Sequence, residues 1–272
     1  MADFIATIII ETNGSPGNEQ RMKNLSALIN NLIVTKESVN QDDGIILLPA
    51  RYFDSGDQSA DSLFPWLAKE IIYVLSNIQR KIFVVAGVDG CKLDKFASDQ
   101  LAIAIDKTGI KAIGRKFHPV EEEKGHICAA TDYRIGEIGY PRIISLNDRT
   151  FYIAVCYDVF GIKNLHLQNP GIDSILSCIH GFTVKGEGGS GDSMFTRHGL
   201  AGASKQWNCP IYSSAVFLKR KMPQNWPAAI LWNQGDKITR EWRYADNPIK
   251  ALKSETMKLP YEICRADIYS IQ

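Results

Sequence analysis

Tyr152-Ile153-Ala154-Val155-Cys156-Tyr157-Asp158 is an apolar run that ends abruptly on a thiol and an acid. Two other stretches share its form: Gly44-Ile45-Ile46-Leu47-Leu48-Pro49-Ala50-Arg51-Tyr52-Phe53 and Gly114-Arg115-Lys116-Phe117-His118-Pro119. Each reads as a strand that runs straight into a loop, and open α/β sheets place their sites at such strand ends. Working outward, Phe4 to Ile10 and Lys81 to Gly87 are further buried strands. Between the strands, Met22, Leu25, Leu28, Ile29, Leu32 and Ile33 recur at helical spacing after the turn cluster Asn13-Gly14-Ser15-Pro16-Gly17. A second helix carries Phe64, Leu67, Ile71, Val74, Leu75 and Ile78, with Asp61 as its expected cap.

After Gly87 the rhythm changes to consecutive strands. They fall at Leu101 to Ile105, Lys111 to Phe117 and Arg142 to Leu146, with a hairpin turn at Asp106-Lys107-Thr108-Gly109. Ile172 to Cys178, Ile211 to Phe217 and Ala228 to Trp232 are strand-like, and a helix is expected around Phe195 to Trp207. Strand and helix alternation mixed with hairpins predicts a layered α/β protein with mixed sheets. Pro and Gly are scattered, so the 272 residues read as one domain, residues 1–272. The tail from about Asn247 is weakly patterned and is expected at an oligomer interface.

Composition excludes several classes. Hydrophobic residues make up 45% and charged residues 22%, the mix of an ordinary folded chain. With 31 basic and 30 acidic residues, there is no excess charge to hold a nucleic-acid backbone. No apolar run approaches the roughly 20 residues of a membrane span, and Met1 to Ile10 lacks the basic start of a signal peptide. The six cysteines show no metal or disulfide spacing. The expectation is a cytoplasmic protein with free thiols, no cofactor and no metal, binding neither nucleic acid nor membrane.

In order and spacing, the three strand-loop segments resemble the nitrilase superfamily of carbon–nitrogen hydrolases, and Asn169-Pro170-Gly171-Ile172-Asp173 fits the same pattern. The resemblance runs to about Phe217 and implies a four-layer α-β-β-α sandwich, assembled as a homodimer or higher homo-oligomer. It implies a Cys that attacks a small amide or nitrile, a Glu that acts as general base and a Lys that stabilises the tetrahedral intermediate. The chemistry has physical reasons. A free thiol is only a few per cent ionised at neutral pH and needs activation, and a developing oxyanion needs a fixed positive partner.

The resemblance assigns the nucleophile to Cys156 and the lysine to Lys116. It assigns the glutamate to Ala50, which cannot accept a proton. A general base is worth ~10²–10⁴ in rate, so four readings stay open. The chain is a catalytically silent relative that binds a ligand or protein partner; another carboxylate replaces the base; the Cys–Lys pair supports a narrower reaction; or alanine stands where the natural protein has glutamate. Candidate carboxylates are Asp54, Asp57, Glu121, Glu122 and Glu123. Glu121 and Glu123 are binding candidates because a further glutamate after the lysine lines the pocket in the family. Asp158 is expected to bond local backbone at a tight turn. His180 follows a strand and is read either as pocket-lining or as structural, and His118 as structural or pocket-lining. Gly186-Glu187-Gly188-Gly189-Ser190-Gly191-Asp192 lacks the ending of a P-loop and reads as a loop at the pocket mouth.

Overall fold

Period-2 burial along the first strand builds the layers. In the computed structural model, which describes residues 3–34, 42–92, 97–183, 191–232 and 249–271, Ile5 and Ile9 face one apolar cluster. Phe4, Ala6, Ile8 and Ile10 face another. The strand is therefore buried on both sides, with helices over one face and a second sheet over the other.

In chain order the described strands are β1 (Phe4–Thr12), β2 (Gly44–Leu47), β3 (Phe53–Asp54), β4 (Ile82–Lys92), β5 (Ala97–Asp106), β6 (Gly109–Arg115) and β7 (Ile143–Leu146). There follow β8 (Arg149–Val155), β9 (Ser174–Cys178), β10 (Ile211–Ser214), β11 (Val216–Leu218), β12 (Ala229–Ile230), β13 (Lys253–Leu259) and β14 (Glu262–Ser270). One sheet has the order β13-β14-β1-β2-β4-β5-β6, with β11 beside β1 and β3 beside β4; the other runs β12-β10-β9-β8-β7. Helices α1 (Asn18–Ile29) and α2 (Phe64–Leu75) bring Met22, Leu25, Leu28, Phe64, Leu67 and Ile71 onto the outer face of the first sheet. On the second sheet, α3 (Asp158–Asn164) and, after the three-residue α4 (Asp192–Met194), α5 (Ala201–Trp207) contribute Val159, Ile162, Ala203 and Trp207 to the other cluster. This is the expected four-layer α-β-β-α sandwich. Each fully buried Ile or Leu contributes roughly 1.5–3 kcal/mol relative to exposure.

Several elements differ from the sequence reading. The strand expected to stop at Gly87 continues to Lys92, because β5 pairs with it through Lys92↔Ala97. The strand expected over Ile211 to Phe217 is two strands. Ile211–Ser214 pairs with β9 in one sheet and Val216–Leu218 with β1 in the other, with the change of sheet at Ala215. Asp61 does not cap α2; it lies inside a 3₁₀ turn, Ala60–Leu63, that leads into the helix. The helix around Phe195 to Trp207 opens with a π turn, Phe195–Leu200. The weakly patterned tail is a hairpin, with β14 inserted between β1, along nine residue pairs, and β13, along seven. Its signal is faint because β14 is buried on both faces and carries Arg265 and Asp267, which pair with each other. The segment Gly186 to Ser190 lies outside the described residues.

Candidate active site

β4, β5 and the end of β6 are neighbours, and their register sets three polar side chains in a row. Asp89 is the cross-strand partner of Gln100, and Gln100 accepts the backbone N–H of Lys116 at 3.1 Å. Directly opposed residues share one face of a sheet. The row faces the place where β8 and β9 of the second sheet end, supplying Cys156 and His180.

Cys156 is the first residue past β8 and is buried, with φ of +49°. A non-glycine residue in the left-handed region is uncommon and marks a turn held by its surroundings. Here the Cys156 amide donates to the Cys178 carbonyl at 2.7 Å, which ties the elbow to the end of β9. His180 lies two residues beyond that tie. Its Nε2 is 2.9 and 3.2 Å from the two oxygens of Asp89. Its side chain and its backbone lie within hydrogen-bonding reach of the Cys156 sulfur. With Nε2 on Asp89, the nitrogen left for the thiol is Nδ1. Asp89, His180 and Cys156 thus form a continuous chain.

The electrostatics follow. Burial opposes a thiolate at Cys156, but the His180 charge and hydrogen bond, with Lys116 behind them, outweigh it and hold the thiol below its usual value. Burial works against charge on His180 too, yet Asp89 and the thiolate raise its pKa to about 10.

Lys116 makes the second arm. It is fully buried, and its Nζ donates to Gln100 Oε1 at 3.0 Å and to the two Glu123 oxygens at 2.5 and 2.6 Å. The same Nζ sits 5.6 Å from the Tyr157 ring centre. Glu123 also accepts the Val120 amide at 3.0 Å. Burial pushes its carboxyl up, but the Lys116 hydrogen bond and charge bring it below the usual range.

A buried pair fixes the spacing of the two arms. Asp158 accepts amides from Phe117 at 2.8 Å, His118 at 3.0 Å and Val155 at 3.0 Å, and pairs with Arg142. Arg142 in turn donates to the carbonyls of Arg115 at 2.7 Å and Ile153 at 2.8 Å. The strand ends that carry Lys116 and Cys156 are therefore clamped to one another. Burial pushes the Asp158 carboxyl up, against the pull of Arg142 and the three amides. Gly161 completes the clamp, since a Cβ there would meet His118 Cβ at 2.6 Å and Phe117 Cε2 at 2.7 Å.

Ala50 is buried between the segments that lead to His180 and to Asp89. Its amide donates to the carbonyl of Ile179, the residue before His180, at 3.2 Å. Its Cα would be 2.2 Å from a Cβ on Gly87, two residues before Asp89. The structure thus brings together Cys156, Lys116, Glu123, His180 and the backbone at Ala50, with Asp158 behind them. Glu121 stays at the surface on Lys124, Glu122 is exposed, Asp54 pairs with Arg51, and Asp57 lies in an exposed turn. Burial lowers the pKa of His118, whose backbone rather than ring meets Asp158. Sequence reading passed over Asp89, Gln100 and Arg142. Asp89 did leave a signal, an acid between Val88 and Gly90 just beyond an apolar strand, where strands seldom carry Asp. Among the described residues no group of three His, Cys, Asp or Glu is placed to hold a metal ion, and no helix is long and apolar enough to cross a membrane.

No family model matches the chain, and no curated protein matches its sequence. Solved structures match its fold. A double mutant of the amidase from Nesterenkonia sp. AN1, in complex with acrylamide, is 12% identical with a TM-score of 0.56, covering 98% of this chain and 90% of that one. A carbon–nitrogen hydrolase from Helicobacter pylori G27 is 12% identical with a TM-score of 0.54, covering 78% and 74%. A CN-hydrolase superfamily protein from Xanthomonas campestris, with an arsenic adduct in its active site, is 11% identical with a TM-score of 0.54, covering 79% and 76%. The fold is that of the nitrilase-superfamily carbon–nitrogen hydrolases.

Proposed function

We propose that the protein is a thiol-dependent carbon–nitrogen hydrolase of the amidase type, acting on a small amide or nitrile through Cys156. The observation that carries this reading is Cys156 on a left-handed strand-end turn tied to the end of β9, with the buried Lys116 on a second strand end that Arg142 and Asp158 clamp to it. Both the nucleophile and a fixed cation are then in place before substrate arrives, which is what acyl transfer through a thioester requires.

In this reading the Cys156 thiolate attacks the carbonyl carbon of an amide. A C–S bond forms, the carbonyl π pair moves to oxygen, and Lys116 stabilises the resulting charge. Collapse breaks the C–N bond and leaves a thioester, which water hydrolyses. Glu123 and Gln100 keep the Lys116 head group in position. The test is ammonia release over a panel of small amides and nitriles. Turnover that disappears in Cys156→Ala supports the reading; turnover that survives the substitution overturns it.

A second reading rests on Ala50, which leaves the position of the family's base without an ionisable group. In that reading the chain binds a small ligand or a protein partner in the pocket and turns nothing over. Calorimetric binding of an amide with no ammonia release from the unmodified protein would favour it. In either case we propose a homodimer or higher homo-oligomer. The C-terminal hairpin is the candidate contact, because β13 is a sheet edge and Leu252 and Tyr261 are exposed. Solution mass by light scattering should be twice that of the chain or more, and a monomer at micromolar concentration would count against it.

A further inference from the structure

We infer that His180, oriented by Asp89, is the proton-transfer group of this site and takes over the task for which Ala50 has no side chain. This deepens the hydrolase reading and rests on it for the catalytic cycle, but not for the protonation chemistry. Two geometric observations carry it. His180 Nε2 sits 2.9 Å from an Asp89 oxygen and its ring lies against Cys156, the order of acid, imidazole and nucleophile that defines a triad by geometry rather than by sequence order. The segments that carry the pair also flank position 50, because the Ala50 amide bonds the residue before His180 and its Cα packs on the strand two residues before Asp89. The remaining nearby carboxylate, Glu123, is engaged by Lys116 through both of its oxygens.

The cycle balances for an amide. At rest the site holds thiolate and imidazolium. The thiolate forms the C–S bond, and charge collects on the carbonyl oxygen. As the C–N bond breaks, the leaving nitrogen takes the Nδ1 proton of His180 and departs as a neutral amine or ammonia. Water then enters, and neutral His180 takes one of its protons as its oxygen bonds to the thioester carbon. Collapse breaks the C–S bond, and the acid leaves. Thiolate and imidazolium are restored. No oxidant, metal or further reactant is needed. His180 is partly exposed, which gives the entering water a path to the ring.

The first test needs no substrate. The rate of iodoacetamide alkylation at Cys156 is followed from pH 4 to 10 in the full chain, with mass spectrometry separating it from the other five cysteines. The unmodified protein should keep a reactive thiolate well below the ordinary thiol value of about 8.5. His180→Ala should move the inflection up by at least one pH unit, and Asp89→Asn should move it by less in the same direction. Lys116→Ala should move it less than His180→Ala. His180→Gln, which keeps a polar side chain of similar reach, is the second variant should alanine disturb folding. Superimposable curves for the His180 variants and the unmodified protein would overturn the inference.

The second test uses any amide that the protein turns over. His180→Gln should lower turnover by about 10²-fold or more while the thiol remains alkylatable at high pH. A gain of that size in Ala50→Glu would overturn the inference, because it would mean that the base is missing rather than relocated. If the alkylation shifts appear but the panel is silent, the thiolate–imidazolium pair stands and the hydrolase reading fails.

Discussion

Two acid–base pairs support this site and are built for opposite ends. Arg142 and Asp158 are completely buried, and Asp158 also accepts three backbone amides. Arg142 is further bound to two carbonyls and lies 5.2 and 4.8 Å from the Phe117 and Tyr152 ring centres. Each of the three guanidinium nitrogens and both carboxylate oxygens of this pair bond to the framework or to each other. His180 and Asp89 also form an ion pair, but His180 keeps 23% of its side-chain surface exposed and spends its second ring nitrogen on a thiol. Saturation and full burial make the first pair a clamp. An open side and a reactive partner make the second a place where protons can move.

The contrast breaks most readily at the clamp. Asp158→Ala leaves a guanidinium buried without its acid, and losing one member of a buried pair costs about 3–5 kcal/mol. The urea midpoint should fall accordingly, and a loss below ~1 kcal/mol would remove the distinction. Gly161→Ala acts on the same clamp from outside, by driving a methyl into His118 and Phe117. Overpacking of this kind costs about 1–3 kcal/mol, readable in the same denaturation series. Asp89→Asn keeps a hydrogen-bonding side chain against the half-buried His180 and should cost less than Asp158→Ala, while its effect on Cys156 alkylation is clear. The reverse order of stability effects would mean that His180–Asp89 is the structural pair.

The smallest effect concerns Glu123. Lys116 holds its carboxyl below the ordinary glutamate value in the folded chain, so its contribution to stability is present above that ordinary value. It is lost as pH falls through the lower, folded value. Glu123→Gln should therefore flatten the stability–pH curve only below about pH 5, where an ordinary Glu titrates. Urea midpoints measured between pH 3 and 7 in both proteins would read it. A difference in slope confined to neutral pH would show that the Lys116–Glu123 contact is not the cause.

The parts of the site that could be read from the chain are those whose signal is local. Cys156 and Lys116 each sit where an apolar strand stops, and Ala50 follows a proline that closes another. A strand's end is written in neighbouring residues, so its position is legible. Asp89, His180 and Gln100 are 91 and 11 residues apart in sequence from Asp89 outward, and nothing local links them. Their assembly depends on the β4–β5 register and on β9 lying parallel to β8, which long-range pairing decides. Glu123 was one of three consecutive acids, and only the position of the buried Lys116 nitrogen separates it from Glu121 and Glu122.

The fold divides in the same way. Composition and period determined that the chain forms a layered α/β structure, because a run such as Phe4 to Ile10 has to be covered on both faces wherever it packs. Period could not assign strands to sheets. The stretch from Ile211 to Phe217 reads as one strand, yet it serves both sheets through a change at Ala215. Nor could it find the C-terminal hairpin, whose buried Arg265 and Asp267 hide a core strand behind charge. Sequence by itself determined which residue types are available for chemistry and where strands end. Tertiary structure alone decided which of them meet, because hydrogen-bond register and the burial of charge are set between segments rather than within them.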